Sequence, residues 1–194
     1  MFHNIRFKKH LTTFQSIFLG FFLIIIIGSL LLMLPISSVS GKVTPFNESL
    51  FTATSAVCVT GLVVHDTGSY WSAFGQAIIL ILIQIGGLGV ITVAASFALL
   101  SGRKISLMQR STMQEAIAAP KIGGIVRLTG FVLKATLIFE LSGAVIMMPV
   151  LYKDYGVKGV WLAVFHSISA FCNAGFDILG TGAHTYPSLT EYIG

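Results

Sequence analysis

The chain has 194 residues, of which 55% are hydrophobic and only 10% charged, against about 25% charged in an ordinary soluble domain; its mean hydropathy is +0.88. That composition excludes a soluble globular domain and describes an integral membrane protein. The excess of 12 Lys and Arg over 7 Asp and Glu does not describe a nucleic-acid binder, because no basic cluster is interleaved with aromatics in a soluble segment; it fits basic residues gathered on one side of a bilayer.

Taken in chain order, residues 14–34 form a run without a charge, long enough for a crossing helix, which needs about 20 residues. The run is too long for a secretory signal and is followed by no small-residue cleavage site. A short apolar stretch, 45–64, is interrupted by polar and small residues. No charge lies between Asp66 and Arg103, which predicts a long second helix over 71–100. A third helix is predicted over 128–151, with Lys134 near one end and Glu140 inside, and a second short apolar stretch covers 160–179. Arg6, Lys8 and Lys9 precede the first helix, and Arg103, Lys104, Arg110, Lys121 and Arg127 lie between the second and third. The positive side faces the cytoplasm, so the N-terminus is expected inside. Tyr70, Trp71, Tyr152, Tyr155 and Trp161 then fall near the outer interface, where aromatic belts form. On this orientation each short apolar stretch begins and ends outside, which makes both re-entrant.

The two re-entrant stretches are copies. At a constant offset the string FTATSAVCVTG (residues 51–61) meets FHSISAFCNAG (residues 165–175), pairing Phe51 with Phe165, Ser55 with Ser169, Cys58 with Cys172 and Gly61 with Gly175. The same register pairs Met33 and Pro35 with Met147 and Pro149, and Thr67 and Gly68 with Thr181 and Gly182. Shared hydrophobicity does not keep Pro, Cys and two Gly in one ungapped frame, so the chain reads as a duplicated helix, re-entrant loop, helix unit. Such a unit crosses the membrane an even number of times, so both copies share one orientation, related by an axis along the membrane normal. The expected organisation is a cytosolic N-terminus (1–13), a first repeat (14–102), a cytosolic loop (103–127) and a second repeat (128–194) that stops early in its inner helix, as in a fragment of a longer protein.

Within the first re-entrant stretch, Thr44-Pro45 reads as a helix start, with Thr as cap and Pro at the first helical position, and a half-membrane helix is expected to about Thr54. Its C-terminal end would point at the membrane centre, where the helix dipole places partial negative charge that favours a cation. The chain then returns through Val57 to Leu62, where small residues and Gly allow backbone carbonyls to turn to one side and replace a cation's water shell. Residues Phe171 to Phe176 repeat the pattern. Asp66 and Asp177, which follow the two turns, are candidates for making the outer mouth negative.

At these residues the sequence resembles the Trk/Ktr/HKT superfamily of potassium transporters, and within it the bacterial KtrB/KtrD membrane subunits. The resembling motifs are TSAVCVTGL (54–62), SAFCNAGFD (169–177) and QIGGLGV (84–90), and the resemblance covers nearly the whole chain. It implies an all-α integral membrane fold of repeated helix–pore-loop–helix units, like fused potassium-channel subunits around a central pore. It also implies a potassium selectivity filter formed by Val59, Thr60 and Gly61 with Asn173, Ala174 and Gly175, and a Gly at positions 61 and 175 is associated there with potassium over sodium. The transported ion would be K+, with uptake often stimulated by Na+. The expected partners are membrane lipid, a second copy in a homodimer, and a cytosolic RCK-type ring (KtrA/KtrC-like) that carries the nucleotide. The basic stretch 101–127 is a candidate docking surface for that ring as well as an ordinary positive-inside loop.

Other residues have plainer readings beside functional ones. Cys58 and Cys172 read as small packing residues rather than metal ligands or a disulfide. Gly86, Gly87 and Gly89 suit close helix packing or a hinge. Glu140, an ionisable group inside a span, belongs to a pathway or to a partner on a neighbouring helix, and its repeat counterpart is Ile26. His65, His166 and His184 have no metal spacing. A carrier for another cation or small solute, using the Gly-rich breaks as a binding site, and a non-transporting scaffold are the competing readings. No hydrolytic or redox constellation is present, so an enzyme is not expected.

Overall fold

A computed structural model describes residues 13–89, 92, 114 and 125–181. The basic N-terminus, most of the stretch 101–127, His184 and the end of the second copy lie outside the described residues. Among those described, the regular structure is helical apart from one isolated bridge between Ser38 and Trp71, with turns and extended segments between the helices. Helix α1 spans Thr13–Met33, α2 Phe46–Val57, α3 Thr67–Tyr70, α4 Ala73–Leu88, α5 Ile125–Tyr155 and α6 Val157–Phe171, with a 3-10 turn at Pro35–Ser37 after α1.

The helix boundaries have local causes. Pro35 stops α1 and opens the 3-10 turn, as a ring without an N–H can start a helical turn but not continue one. Helix α2 begins one residue later than expected. Pro45 occupies the cap position in an extended conformation, while the Thr44 hydroxyl pairs with the Tyr70 hydroxyl (3.2 Å) instead of capping. Glu48 in the first turn suits the positive end of the α2 dipole. Asp66 caps α3 through Ser69 N–H (2.8 Å), and Ser72 caps α4 through Gly75 N–H (3.2 Å). The second helix expected over 71–100 is corrected at two points: α4 starts at Ala73, and it is interrupted after Leu88, because Gly89 takes φ +80, a left-handed conformation that leaves the helical path; Thr92 is again helical, and the rest of 90–100 lies outside the described residues.

The third helix is longer than expected. Helix α5 keeps Pro149 inside and passes to α6 through Gly156 alone, at φ +59. Between Arg127 and Tyr155, α5 is long and apolar enough to cross a bilayer. Polarity is arranged inside out. Phe18, Phe22 and Ile27 on α1, and Phe131, Ile138, Phe139, Val145 and Ile146 on α5, are exposed. Ser29, Ser49, Thr52, Gln76, Thr136, Glu140, His166 and Ser167 are buried. In water each exposed Ile or Phe would forgo about 1.5–3 kcal/mol of burial; against lipid tails nothing is lost. The apolar core between the helices is built from Leu32, Ile79, Ile83, Leu162, Phe165 and the fully buried Trp71, and the ends of α2 and α6 rest on it.

Candidate functional site

The residues singled out by the duplicated motifs lie where α2 and α6 end, and both helices end in the same way. Helix α2 stops at Val57 with Cys58 as cap; α6 stops at Phe171, the equivalent residue, with Cys172 as cap. Val59 N–H donates to Ala56 O (3.2 Å) and Thr60 N–H to Ser55 O (3.0 Å); Asn173 N–H donates to Ala170 O (3.0 Å) and Ala174 N–H to Ser169 O (2.7 Å). These paired bonds form a Schellman motif, whose residue after the cap must be left-handed. Val59 and Asn173 both take φ +56, and Gly61 and Gly175 both take φ +72. The helix therefore runs three residues past the expected Thr54 before the chain turns.

A left-handed Val is costly, since its branched Cβ crowds the backbone; Asn tolerates the conformation better. Strain of this kind persists only where surrounding structure imposes it, and it concentrates at functional sites. The two turns also meet. A Cβ added at Gly61 would sit 2.6 Å from the Ala174 carbonyl oxygen and 3.2 Å from Gly175 Cα, and one added at Gly175 would lie 3.5 Å from Gly61 Cα. Gly61 is thus required by its φ and by the approach of the second turn. Thr60 and Gly175 are exposed, and Ala174 is buried.

Each outgoing segment is tied back to its helix by the equivalent serine. Ser55 Oγ pairs with Thr60 Oγ1 (2.9 Å), and Ser169 Oγ donates to Phe176 O (2.8 Å). Further out the copies use different chemistry. Glu48 on α2 pairs with His65 (2.7 Å). In the second copy the buried His166 donates from Nδ1 to Leu162 O (2.7 Å) and accepts Ile178 N–H at Nε2 (3.3 Å). Both histidines, to which the sequence assigned no role, therefore brace an outgoing segment. Of the two acidic residues after the turns, Asp66 is buried, bonded to Ser69 through both N–H and hydroxyl, and pressed so closely on Gly180 that a Cβ there would strike its carboxylate. Asp177 accepts Leu179 N–H (2.6 Å) and lies 3.5 Å from His166 Nε2.

Glu140 has its partner on a neighbouring helix. Gln84 Nε2 donates to Glu140 Oε1 (2.8 Å), and Cys172 Sγ lies 3.9 Å from Gln84 Oε1. Gly86 and Gly87 are packing glycines: a Cβ at 86 would run into the Val57 backbone, and one at 87 would lie 2.5 Å from Cys172 Sγ. Helix α4 thus seats both turns, one on each of two adjacent glycines. Among the described residues no group of three or more His, Cys, Asp or Glu could hold a metal. The sequence reading missed the part played by Gln84 and Ser167; an amide inside an otherwise apolar helix was the available signal for the first.

Helices with apolar outer faces, buried polar side chains and two strained turns sharing one helix define an all-α membrane protein. The chain belongs to the TrkH family of cation transport proteins, whose pattern it matches over residues 6–189. It is 46% identical to the Ktr system potassium uptake protein B of Bacillus subtilis, over 93% of this chain and 39% of that protein. It is 43% identical to the potassium/sodium uptake protein NtpJ of Enterococcus hirae, over 90% of this chain and 39% of that protein, and 36% identical to the Ktr system potassium uptake protein D of Bacillus subtilis, over 92% and 40%. The chain spans about two fifths of the length of these relatives.

Proposed function

We propose that this chain forms part of the ion path of a Ktr-type system that takes up potassium across the cell membrane. The observation that carries the reading is the pair of equivalent turns at the ends of α2 and α6, with left-handed residues at 59 and 61 and at 173 and 175, set against each other at Gly61 and Gly175. Two helix C-termini bring partial negative charge to one place. Left-handed residues alternating along a short segment let successive carbonyls serve one side, as a cation needs when it sheds water. Val59, Thr60 and Gly61 with Asn173, Ala174 and Gly175 supply those carbonyls, and each helix–turn–helix copy is one pore-loop unit of a central pore.

The finer assignments follow the same reading. The relatives named as Ktr system proteins support a place in a system with partner subunits; the cytosolic nucleotide-binding ring and the homodimer in the membrane rest on the motif resemblance. The relative named as a potassium/sodium uptake protein supports a part for sodium. The basic residues before α1 support a cytoplasmic N-terminus; on the same reading Asp177 contributes negative charge outside the second turn, while Asp66 serves chiefly as the α3 cap.

Uptake in cells lacking their own potassium systems tests the proposal, comparing the whole wild-type protein with Gly61→Ser and Gly175→Ser at low external potassium. Either substitution is expected to weaken apparent potassium affinity by about tenfold, equivalent to about 1.4 kcal/mol, or to let sodium compete. Unchanged affinity and selectivity in both would remove the turns from the ion path and favour a carrier for another small solute.

A further inference from the structure

Glu140 is buried in α5, and among the described residues its side chain faces an amide rather than a cation. Glu140 Oε1 accepts from the Gln84 amide nitrogen, which turns that nitrogen towards α5 and leaves the amide oxygen facing Cys172. Gln84 is thereby held in one of its two amide orientations. Helix α5 is in turn fixed to α6, because Ser167 Oγ donates to the Glu140 backbone carbonyl (2.6 Å) in space that Gly143 leaves open. Gly87 lets α4 come close enough for Cys172 to rest on it. Helix α4 therefore meets Cys172 directly and α5 acts on it through Gln84; Cys172 is the α6 cap residue that directly precedes the left-handed Asn173. Among the described residues the first turn shows no equivalent carboxyl–amide pair: Cys58 is exposed, and the residue equivalent to Glu140 is Ile26.

We infer that Glu140 and Gln84 are positioning residues for ion selectivity, an acceptor–amide pair that seats the second turn through Cys172 and so sets the spacing of Asn173, Ala174 and Gly175 against the first turn. The inference rests on the ion-path reading above. It assigns the intramembrane carboxyl a hydrogen-bonding task, in which its charge is not needed.

The whole protein carries the test, with two readouts. The first is potassium uptake with and without competing sodium, for Glu140→Gln, Glu140→Leu, Gln84→Leu and the double Leu variant. The second is the rate at which a small permeant maleimide labels Cys172, followed by peptide mass spectrometry, with exposed Cys58 as the internal reference. Glu140→Gln keeps an acceptor and is expected to match wild type. Glu140→Leu and Gln84→Leu are expected to raise the apparent KM for potassium about fivefold, the scale of one lost hydrogen bond, at unchanged maximal rate, with stronger sodium competition. Cys172 labelling should rise towards the Cys58 rate in both, and the double variant should be no worse than either single. Should Glu140→Leu fail to accumulate in the membrane, Gln84→Leu carries the same readouts.

The inference is overturned if Gln84→Leu behaves as wild type in both readouts, if Glu140→Gln is as damaging as Gln84→Leu, or if the single effects multiply. Gly61→Ser and Gly175→Ser run in parallel separate the two levels. If they alter potassium affinity while the brace variants do not, only the brace falls. If they alter nothing, the ion-path reading falls, and the Cys172 labelling still reports whether the pair seats the turn.

Discussion

At the scale of single residues, the two turns set the same backbone problem and solve it with different side chains. Val59 and Asn173 share φ +56, yet a branched side chain pays more for that conformation than Asn does. Val59→Gly is therefore expected to stabilise the protein by about 1–2 kcal/mol, and Asn173→Gly by less, read as thermal unfolding midpoints of the purified protein. Equal gains would show that the Val is no more strained than the Asn. Gly61 stands opposite in sign, because any side chain there is strained by φ +72 and also meets the Ala174 carbonyl. The pairing of Gly61 with Gly175 was legible in the sequence. Their approach was not, because 114 positions separate them and no local pattern reports which face of one turn meets another.

At the scale of elements, α4 carries the most load for its length. The sequence predicted a long uninterrupted helix from hydrophobicity alone, but Gly89 interrupts it, since a residue without Cβ permits a left-handed break that the hydropathy pattern does not record. The adjacent Gly86 and Gly87 are distinguished only by their neighbours. Gly86 faces the Val57 backbone, which cannot move aside, whereas Gly87 faces the Cys172 side chain. Gly86→Ala is expected to cost about 1–3 kcal/mol. Gly87→Ala should cost less and should be relieved by Cys172→Ala, which removes the obstructing sulfur. A thermal-unfolding double-mutant cycle checks this; independent effects at 87 and 172 would remove Cys172 as the neighbour that matters. The duplication also diverges between elements. Pro35 ends α1, while its counterpart Pro149 is absorbed inside α5, so the same residue in the same register stops one helix and not the other. The α5–α6 hairpin at Gly156 and the close approach of Gly159 to the Leu151 backbone belong to the second copy alone.

At the scale of the whole molecule, composition had already placed the chain in a membrane, and the distribution of exposed apolar and buried polar side chains follows from that solvent. Ile138, near the middle of α5, is 66% exposed. Ile138→Asp is expected to lower the membrane-integrated fraction, since an Asp at a helix centre costs about 2.5–3.5 kcal/mol to insert. Fractionation of expressing cells checks it, and full integration would mean that this face of α5 meets protein or water instead of lipid. Among the polar links that tie the copies together, two lie at different depths: Trp161 Nε1 donates to Gln76 Oε1 (2.8 Å), and Gln84 donates to Glu140 (2.8 Å). Both use an amide of α4, from the first copy, against a helix of the second.

The sequence by itself determined the membrane class, the duplication, and the identity of the two turns, because each is written in composition or in a register that backbone geometry repeats residue for residue. Equivalent residues at 58–61 and 172–175 turn in the same way since the same hydrogen bonds close each helix end. Only the tertiary structure decided where α4 stops, which glycine seats which turn, and that Glu140 answers Gln84 across 56 positions. Those contacts depend on how helices pack side by side, and packing is set by the fit of faces distant in sequence rather than by any pattern along one of them.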